Sequence, residues 1–453
     1  MMTMYLAEAA SALNARQSGA DVLFRGVSTD SRTLMDGNLF VAINGPNFDG
    51  HNYLYQAHRQ GAAAAVVSRT VETSLPLLEV DDTLTALGRL AACWRSRFKL
   101  PLVAITGSNG KTTTREMLSA ILGRCGETLT TRGNFNNEIG LPLTLSGLDA
   151  RHRFAVVELG ANHPGEIAAL TAMAQPSIAI INNAGPAHLE GFGSLEGVAR
   201  AKGELFEGLA ADGVCILNAD DDFTALWRSM AAPRQVISFG LDKQAEVTAS
   251  WKGDIDGSDI ELHTPVGQTV LRLPFPGRHN VMNALAATAA AIAVDVSLDD
   301  IAQGLAAARP VRGRWQMKPG IEDMQIIDDT YNANPGSLGA AMRVLSQDDN
   351  ENWLVLGDMG ELGNEAASLH AEVGDQARQL GFGCLFALGP LAQQAAEAFG
   401  SGAEVFENIE DLIKRLRQLA RPGVRVLVKG SRAMRMERVV EALRLPSDSE
   451  ERV

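Results

Sequence analysis

The sequence predicts an α/β fold of three domains, and three observations support this prediction. The chain has 453 residues, which is more than a single hydrophobic core usually supports. Short apolar runs recur along it, each closed by Gly, Asn, Asp or Glu and followed by a helix-like segment, as in a parallel α/β sheet. One run leads into a glycine-rich loop of the phosphate-binding type. We expect the domains to span residues 1–80, 81–310 and 311–453.

The three stretches differ in pattern. Residues 1–80 are rich in turn formers and contain only short strand-like runs, which predicts a small α/β module. Residues 81–310 contain the runs LVAITG, FAVVELG, SIAIINNAG and GVCILNADD. Within this stretch, residues 246–275 alternate like antiparallel strands at one sheet edge, and NALAATAAAIAV predicts a buried helix. A new strand-helix series begins after residue 310, with MQIIDDTYN, NWLVLGDMG, CLFALG and VRVLVKGS.

Composition excludes several classes of protein. The formal net charge of -14 argues against a general affinity for nucleic acid or anionic membranes. The four cysteines are scattered without a C-x-x-C pair, so neither a zinc site nor a disulfide framework is expected. The N-terminal stretch lacks the pattern of a secretory signal, and no apolar run is long enough to span a bilayer. We therefore expect a cytoplasmic, monomeric protein that acts on small molecules.

The segment AITGSNGKTTTREM, residues 104–117, resembles a phosphate-binding loop in which Ile105 replaces the usual first glycine. In such a loop, glycines turn backbone N–H groups toward phosphate, a lysine neutralises the phosphate charge, and a hydroxyl binds Mg²⁺. The alternative is a tight strand-to-helix turn with an exposed lysine. The candidate nucleotide-binding residues of the loop are Gly107, Ser108, Asn109, Gly110, Lys111, Thr112 and Thr113.

Further candidates follow the strands around this loop. Glu158 and His188 come after two of the apolar runs, where they could join Thr112 around Mg²⁺. Glu158 could instead serve as a helix N-cap partner, and His188 could be an ordinary loop histidine. Lys202 lies in a helical segment, where a lysine side chain is usually solvated.

Five polar residues between positions 280 and 329 are candidates for nucleotide contacts. Asn280 and Asn283 stand one helical turn apart and could face one ligand, although Asn280 could also be a cap. Arg314 and the pair Asp328 and Asp329 could bind phosphate and ribose across a domain boundary. Alternatively, Arg314, Asp328 and Asp329 could be charged side chains of surface loops without a binding role.

Seven motifs together resemble the Mur ligase family, the ATP-dependent amide-forming enzymes of peptidoglycan precursor synthesis. They occur in the family's order and span most of the chain: TGSNGKTT, VVELGANHPGEI, NNAGPAHLEGFGS, ARAKGELF, GRHNVMNALAA, GRW and DDTYNANPGSL. In this family the loop without its first glycine is the normal form. The resemblance implies a UDP-sugar-binding N-terminal module, a central ATPase domain and a Rossmann-like C-terminal domain that binds the incoming amine.

Within the family, DSRTLMDGNLFVAINGPNFDGHNY, TRGNFNNEIGLPLTL, DDTYNANP and GDMGELG resemble the type of ligase that adds D-alanyl-D-alanine to UDP-muramoyl-tripeptide. A D-N-P-R motif, expected in the ligase that adds the third amino acid, is not found. Folylpolyglutamate synthetase shares the loop but lacks this N-terminal module. The alternatives that stay open are a Mur ligase that adds a single amino acid and a nucleotide-binding switch.

The resemblance also implies roles at the ATP site. The tripeptide carboxylate would attack the γ-phosphate of ATP, and the amine would then displace phosphate from the acyl phosphate. Thr112, Glu158 and His188 would hold two Mg²⁺ ions, supported by a carbamate formed on Lys202 with CO₂, so that Lys111, Lys202, His188 and Glu158 are the catalytic candidates. Asn280 would contact adenine with support from Asn283, Arg314 would reach the γ-phosphate, and Asp329 would hold ribose.

The remaining implied roles concern the two other substrates. Residues expected to bind the UDP-sugar are Ser28, Asp30 and Arg32, although Arg32 could also be a surface arginine. Residues expected to line the UDP-sugar or acyl-acceptor channel are Thr131, Asn134, Asn136, Asn137 and Glu138. Residues expected to hold the dipeptide are Asn332, Asn334, Asp358 and the segment 429–432. Because the ATP ligands come from two domains, we expect substrate binding to close the third domain onto the second.

Overall fold

The computed structural model describes residues 1–45, 48–186 and 189–445. The described part of its first 80 residues forms a small five-stranded sheet in strand order β2-β9-β8-β5-β4, two two-stranded sheets, β1-β3 and β6-β7, and two short α-helices. The strands are β1 (Thr3–Tyr5), β2 (Arg16–Ser18), β3 (Leu23–Arg25), β4 (Val27–Ser28), β5 (Leu39–Val41), β6 (Asn44–Gly45), β7 (Phe48–Asp49), β8 (Ala64–Val67) and β9 (Leu77–Glu79), and the α-helices are α1 (Leu6–Leu13) and α2 (Leu54–Arg59). The predicted small α/β module is confirmed.

A six-stranded, all-parallel sheet forms the centre of the molecule, in the order β11-β12-β10-β13-β14-β15. Its strands are β10 (Leu102–Thr106), β11 (Thr128–Thr130), β12 (Phe154–Glu158), β13 (Ile178–Ile181), β14 (Val214–Asn218) and β15 (Gln235–Phe239). Helices before and between them are α3 (Thr83–Arg95), α4 (Lys111–Leu122), α5 (Gly140–Leu145), α6 (Glu166–Ala174), α7 (Leu189–Phe192), α8 (Leu195–Glu207) and α9 (Thr224–Ala231).

Both faces of this sheet are covered, which explains why its strands read as continuous apolar runs. Along β10, Leu102 and Ala104 pack into the core on one face, and Val103 and Ile105 pack into the core on the other. Because the strands are parallel, the carboxyl ends of β10, β12 and β13 meet at one edge. The polar residues that follow these three strands are thereby brought together.

Residues 246–275 form antiparallel strands, as predicted, and they form a sheet of their own next to one edge of the central sheet. The strands β16 (Thr248–Asp254), β17 (Gly257–Thr264) and β18 (Gly267–Leu273) make a separate three-stranded sheet. One isolated bridge, between Phe239 and Val247, links this region to the edge strand β15. The Ala-rich segment forms the buried helix α10 (Arg278–Ile292), followed by α11 (Leu298–Ala307).

The C-terminal part is a second six-stranded sheet in the order β19-β20-β24-β21-β22-β23, parallel except for β19. The strands are β19 (Gln316–Pro319), β20 (Gln325–Asp328), β21 (Glu351–Gly357), β22 (Cys384–Leu388), β23 (Ala403–Phe406) and β24 (Val424–Lys429). The helices are α12 (Pro335–Leu345), α13 (Ala366–Gln379), α14 (Ala392–Phe399), α15 (Ile409–Leu419) and α16 (Glu437–Leu443). This mostly parallel sheet with a core on each face confirms the predicted α/β class.

The two junctions between these parts are built differently. One hydrophobic core joins the first 80 residues to the central part: Leu6 of α1 and Val66 of β8 belong to the same cluster as Leu90 of α3 and Leu145 of α5. The C-terminal part has cores of its own. The boundaries after residues 80 and 310 fall in connections between elements and stay our proposal. Within the described ranges, the helices are all too short or too polar to cross a membrane.

Candidate active site

The glycine loop lies between β10 and α4, as the sequence predicts. Gly107 has φ 149° and Gly110 has φ 83°, conformations that favour glycine. A Cβ atom at Gly107 would lie 2.9 Å from Cβ of Asn182, and one at Gly110 would collide with Oδ1 of Asn283. Both glycines are therefore required by the conformation and by the close packing of the loop.

Two asparagines that sequence reasoning missed hold the loop in place. Asn183 accepts a hydrogen bond on Oδ1 from the backbone N–H of Asn109 at 2.9 Å, and its carbonyl accepts from Ser108 N at 3.1 Å. Asn182 donates from Nδ2 to Oγ1 of Thr114 at 2.9 Å. Both follow β13, so the rule that ligand sites lie beyond parallel strand ends could have identified them.

Lys111 begins α4, and its ammonium group turns back toward the loop. Nζ donates to the carbonyl of Gly107 at 2.5 Å. Burial lowers the pKa of Lys111, the charge of Glu158 opposes this effect, and the charge of Arg314 adds to it. A buried cation held against backbone carbonyl oxygen is poised for an anion such as a phosphate group.

Glu158 ends β12 within reach of the loop helix. Its Oε2 accepts a hydrogen bond from Oγ1 of Thr112 at 3.2 Å. Its Oε1 lies 2.8 Å from Nη1 of Arg115 in a buried ion pair, without accepting a well-aligned hydrogen bond. Sequence reasoning missed Arg115, although it stands four residues after Lys111 and so projects from a similar side of α4.

Lys202 is not solvated, which corrects the expectation for a lysine on a helix. The residue is only 2% exposed on α8, and Nζ lies 5.9 Å from the centre of the Phe192 ring. Burial and the nearby charge of Lys111 lower the pKa of Lys202 to about 7. The side chain faces the same cleft as the loop, where it can lose its proton near neutral pH.

The C-terminal part contributes a second wall to the site. Asn334 donates from Nδ2 to Oδ1 of Asn109 in the loop at 2.7 Å. Arg314 lies over the ring of Tyr331, with Cζ 4.3 Å from the ring centre, and its buried Nε has no hydrogen-bond partner among the described residues. Arg314 therefore retains donor capacity beside Lys111, as an anion-binding residue requires.

Asn280 and Asn283, predicted to face one ligand, instead contact each other. Asn283 Nδ2 donates to Oδ1 of Asn280 at 3.2 Å, and Asn280 Nδ2 donates to the carbonyl of Pro276 at 2.8 Å. Both amides are buried, and Oδ1 of Asn283 accepts from Thr114 at 3.3 Å. The pair therefore contacts α4, the helix that follows the glycine loop, through Thr114. Neither asparagine is among the described residues that line the cleft.

Two predicted C-terminal ligands are engaged with protein groups. Oδ2 of Asp329 accepts from Nζ of the buried Lys429 at 2.5 Å, and Lys429 also donates to the carbonyl of Asn332 at 2.9 Å. Oδ1 of Asp358 accepts from the backbone N–H groups of Leu391 and Ala392, at 3.0 and 2.7 Å, and so caps the start of α14. Neither carboxylate lines the cleft within the described ranges.

One cleft of about 1270 Å³ connects all three parts of the chain. Ser28 and Asp30 line it at one end, whereas Arg32 pairs with Asp30 at 2.7 Å and points outside. Thr131 is buried and is not among the described residues that line the cleft. Predicted residues that line the cleft include Ser108, Asn109, Gly110, Lys111, Thr112, Thr113, Asn134, Asn136, Asn137, Glu138, Glu158, Lys202, Arg314, Asn332 and Asn334.

The predicted metal ligands are only partly brought together. Thr112 and Glu158 are in contact, and Lys202 shares their cleft. His188 lies outside the described residues. Within the ranges that the structure covers, no group of three or more His, Cys, Asp or Glu side chains is arranged as a metal site. An unmodified Lys202 adds no acidic ligand to this set.

Comparison with known proteins identifies the family. The model for the Mur ligase family, catalytic domain, matches residues 23–95. The Mur ligase middle domain matches residues 105–291, and the Mur ligase, glutamate ligase domain, matches residues 313–432. The UDP-N-acetylmuramoyl-tripeptide--D-alanyl-D-alanine ligase of Escherichia coli (strain K12) is 43% identical over 98% of this chain and 99% of its own. The chain belongs to the Mur ligase family.

Solved structures agree with this assignment. This Mur ligase superimposes on a crystal structure of MurF from Acinetobacter baumannii with a TM-score of 0.92 and 38% identity, covering 97% of this chain and 98% of that one. The MurF ligase of Thermotoga maritima in complex with ADP gives a TM-score of 0.83 and 28% identity, covering 92% and 96%. The predicted resemblance, the α/β fold and the assignment as an ATP-dependent ligase are thus confirmed.

Proposed function

We propose that this Mur ligase joins D-alanyl-D-alanine to UDP-N-acetylmuramoyl-tripeptide, forming UDP-N-acetylmuramoyl-pentapeptide, ADP and phosphate in peptidoglycan synthesis. The observation that carries this proposal is the single cleft lined by all three parts of the chain around the glycine loop. Relatives named for this reaction match nearly the whole chain, and those of Escherichia coli and Haemophilus influenzae are 43% and 41% identical. A reaction of three substrates needs such a shared cleft.

The first chemical step activates a carboxylate, which is a poor acyl donor. The tripeptide carboxylate attacks the γ-phosphorus of ATP, the bond to the β-γ bridging oxygen breaks, and ADP leaves. Lys111 and the N–H groups of the loop hold the phosphates, and Arg314 neutralises charge from the opposite wall. In the second step the dipeptide amine attacks the acyl carbon, and phosphate leaves.

Thr112 and Glu158 are suited to hold Mg²⁺, because a hydroxyl and a carboxylate are hard oxygen ligands. The fit is supported by the contact between these two groups, since Oε2 of Glu158 accepts from Oγ1 of Thr112 at 3.2 Å on the side of the glycine loop, while Oε1 is paired with Arg115. When bound, Mg²⁺ supplies charge neutralisation on the phosphate oxygens. His188 stays a predicted ligand from sequence, as does the presence of two ions.

Carbamylation of Lys202 is part of this proposal. A neutral amine reacts with CO₂, and burial lowers the pKa of Lys202 to about 7, so that much of it is neutral near pH 7. The product would be an anion in place of a cation. This change would place a further acidic oxygen ligand in the cleft that Thr112 and Glu158 line.

The lining of the cleft supports an assignment of the substrate positions. The UDP-sugar is assigned to the end lined by Ser28 and Asp30, and its peptide to the wall that contains Asn134, Asn136 and Glu138. The dipeptide is assigned to the C-terminal wall, near Asn332 and Asn334. Cytoplasmic localisation and a monomeric state stay predictions from sequence.

The test measures phosphate release from MgATP in the presence of UDP-muramoyl-tripeptide. It compares D-alanyl-D-alanine with single amino acids as the second substrate, and the product is identified by mass spectrometry. We expect release only with the dipeptide and a pentapeptide product. Release with a single amino acid would make the chain another type of Mur ligase. Release without either co-substrate would instead indicate a nucleotide switch.

A further inference from the structure

Arg115 is a buried cation directly beside the candidate metal ligand. Its side chain is 4% exposed and that of Glu158 is 2% exposed, and Nη1 of Arg115 lies 2.8 Å from Oε1 of Glu158. A buried charge is tolerated where it is paired. The neighbouring Glu116 also contacts Nη2 of Arg115, but Glu116 is partly exposed. The pairing with Glu158 is therefore the buried one.

The same guanidinium reaches a third element. Nη1 of Arg115 donates to the carbonyl of Thr131 at 2.7 Å, and Oγ1 of Thr131 accepts from the backbone N–H of Glu158 at 3.0 Å. Arg115, Glu158 and Thr131 thus form a closed set of contacts between α4, β12 and the residue after β11. Thr131 immediately precedes the segment 132–140, most of which lines the cleft.

The two carboxylate oxygens of Glu158 consequently face different partners. Oε1 faces Arg115, and Oε2 accepts from the hydroxyl of Thr112 at 3.2 Å. Rotation of the carboxylate would move Oε1 away from the guanidinium and leave the buried cation with only the partly exposed Glu116 as an acidic partner among the described residues, which is costly. Arg115 therefore selects the orientation in which Oε2 stays on the side of the glycine loop.

We propose that Arg115 is a positioning residue, which fixes the Glu158 carboxylate beside Thr112 for binding of MgATP and ties it to the start of the cleft-lining segment 132–140. This inference rests on the proposed function only for the presence of MgATP in the cleft. It assigns no contact between Arg115 and substrate. Residues that orient metal ligands in this way typically change metal affinity or activity by about 10- to 100-fold when they are replaced.

The experiment measures the Mg²⁺ concentration that gives half-maximal ATP binding to the full chain, by calorimetry, for the wild type, Arg115→Gln and Arg115→Lys. We expect Arg115→Gln to need roughly 10- to 100-fold more Mg²⁺. Arg115→Lys keeps the positive charge but lacks the planar guanidinium group with its several N–H donors. Its Mg²⁺ requirement should therefore lie between those of the wild type and Arg115→Gln. Arg124→Gln is the control, since Arg124 follows the same helix and pairs at the surface with Asp300.

An unchanged Mg²⁺ requirement in Arg115→Gln would overturn the proposal, even if that variant melts at a lower temperature, because a merely structural role would lower stability alone. If Arg115→Gln does not fold, Arg115→Lys decides, and a Mg²⁺ requirement equal to that of the wild type would overturn the proposal. Failure of the proposed function is distinguishable, because the wild type would then bind MgATP without ligating the dipeptide.

Discussion

At the residue scale, the two lysines of the cleft differ in what surrounds their charge. Burial lowers the pKa of both, but at Lys111 the charge of Glu158 opposes the shift. At Lys202 no described carboxylate opposes it, and the charge of Lys111 lowers the pKa further, to about 7. The two lysines therefore differ in that Lys111 has a carboxylate nearby that favours its charged form, whereas Lys202 is suited to react as a neutral amine.

Lys202 should form a carbamate whose amount depends on pH. Because only the neutral amine reacts, the signal should grow as the pH rises through about 7 and fall below it. The measurement is ¹³C NMR of the protein in ¹³C-bicarbonate. Lys202→Ala should lose the signal and most ligase activity, with partial rescue by a short carboxylate, while Lys243→Ala at the surface should lose neither. Full activity of Lys202→Ala without added carboxylate would contradict carbamylation.

Asp329 should contribute to stability through its partner. Replacing it in Asp329→Asn leaves the ammonium of Lys429, which is 1% exposed, without a counter-charge, so we expect a loss of about 3 kcal/mol in the free energy of unfolding. Urea denaturation measures this loss. Asp375→Asn, which removes a surface pair with Arg378, should change stability by less than about 1 kcal/mol. An additional rise in KM for ATP would support the predicted ribose contact, and no loss of stability would contradict the buried pair.

At the scale of elements, the carboxyl ends of β10, β12 and β13 and the start of α12 make one site from segments far apart in the chain. Asn334 caps α12 by accepting from Ser337 N at 2.9 Å, and its amide donates to Asn109 of the glycine loop. One side chain thereby both begins a C-terminal helix and contacts the central loop. The effects of its two contacts can be separated.

Asn334→Ala should lower stability and weaken ATP binding together. Loss of an N-cap costs about 1 kcal/mol, and loss of the contact with Asn109 should raise KM for MgATP. Asn408 is the matched control, since it caps α15 by accepting from Asp411 N at 2.9 Å, outside the cleft. Asn408→Ala should lose similar stability at unchanged KM. Equal KM values in both variants would exclude a role for the contact with the loop.

The elements were more predictable from sequence than their contacts. The apolar runs predicted β10, β12 and β13, because strands buried on both faces leave a continuous apolar signal. The burial of Lys202 could not be predicted, since it depends on the nearby ring of Phe192 and on the packing of α8 against α6 and α9. The pair of Asp329 and Lys429 joins residues 100 positions apart, so neither position alone indicated that the predicted ribose ligand is held by a protein cation.

At the scale of the whole molecule, the C-terminal part has two hydrophobic cores of its own. Among the described residues, the polar contact that joins it to the glycine loop is the hydrogen bond between Asn334 and Asn109. Few contacts across a junction favour rigid-body motion. We therefore expect MgATP with UDP-muramoyl-tripeptide to shift the chain toward a more compact form, measured as a smaller radius of gyration by small-angle X-ray scattering. A profile unchanged by both ligands together would contradict closure, and MgCl₂ without nucleotide is the control.

The shared core at the other junction has a consequence for how the chain can be divided. Met2, Leu6 and Val66 pack in the same cluster as Leu90 and Leu145, so a fragment that ended at residue 80 would expose an apolar face to water. The N-terminal segment therefore cannot be moved to another protein as an independently folding unit. Recombination between related chains would preserve folding only if the segment travelled together with α3, which packs against α1 and β8, and with α5, which shares the same core.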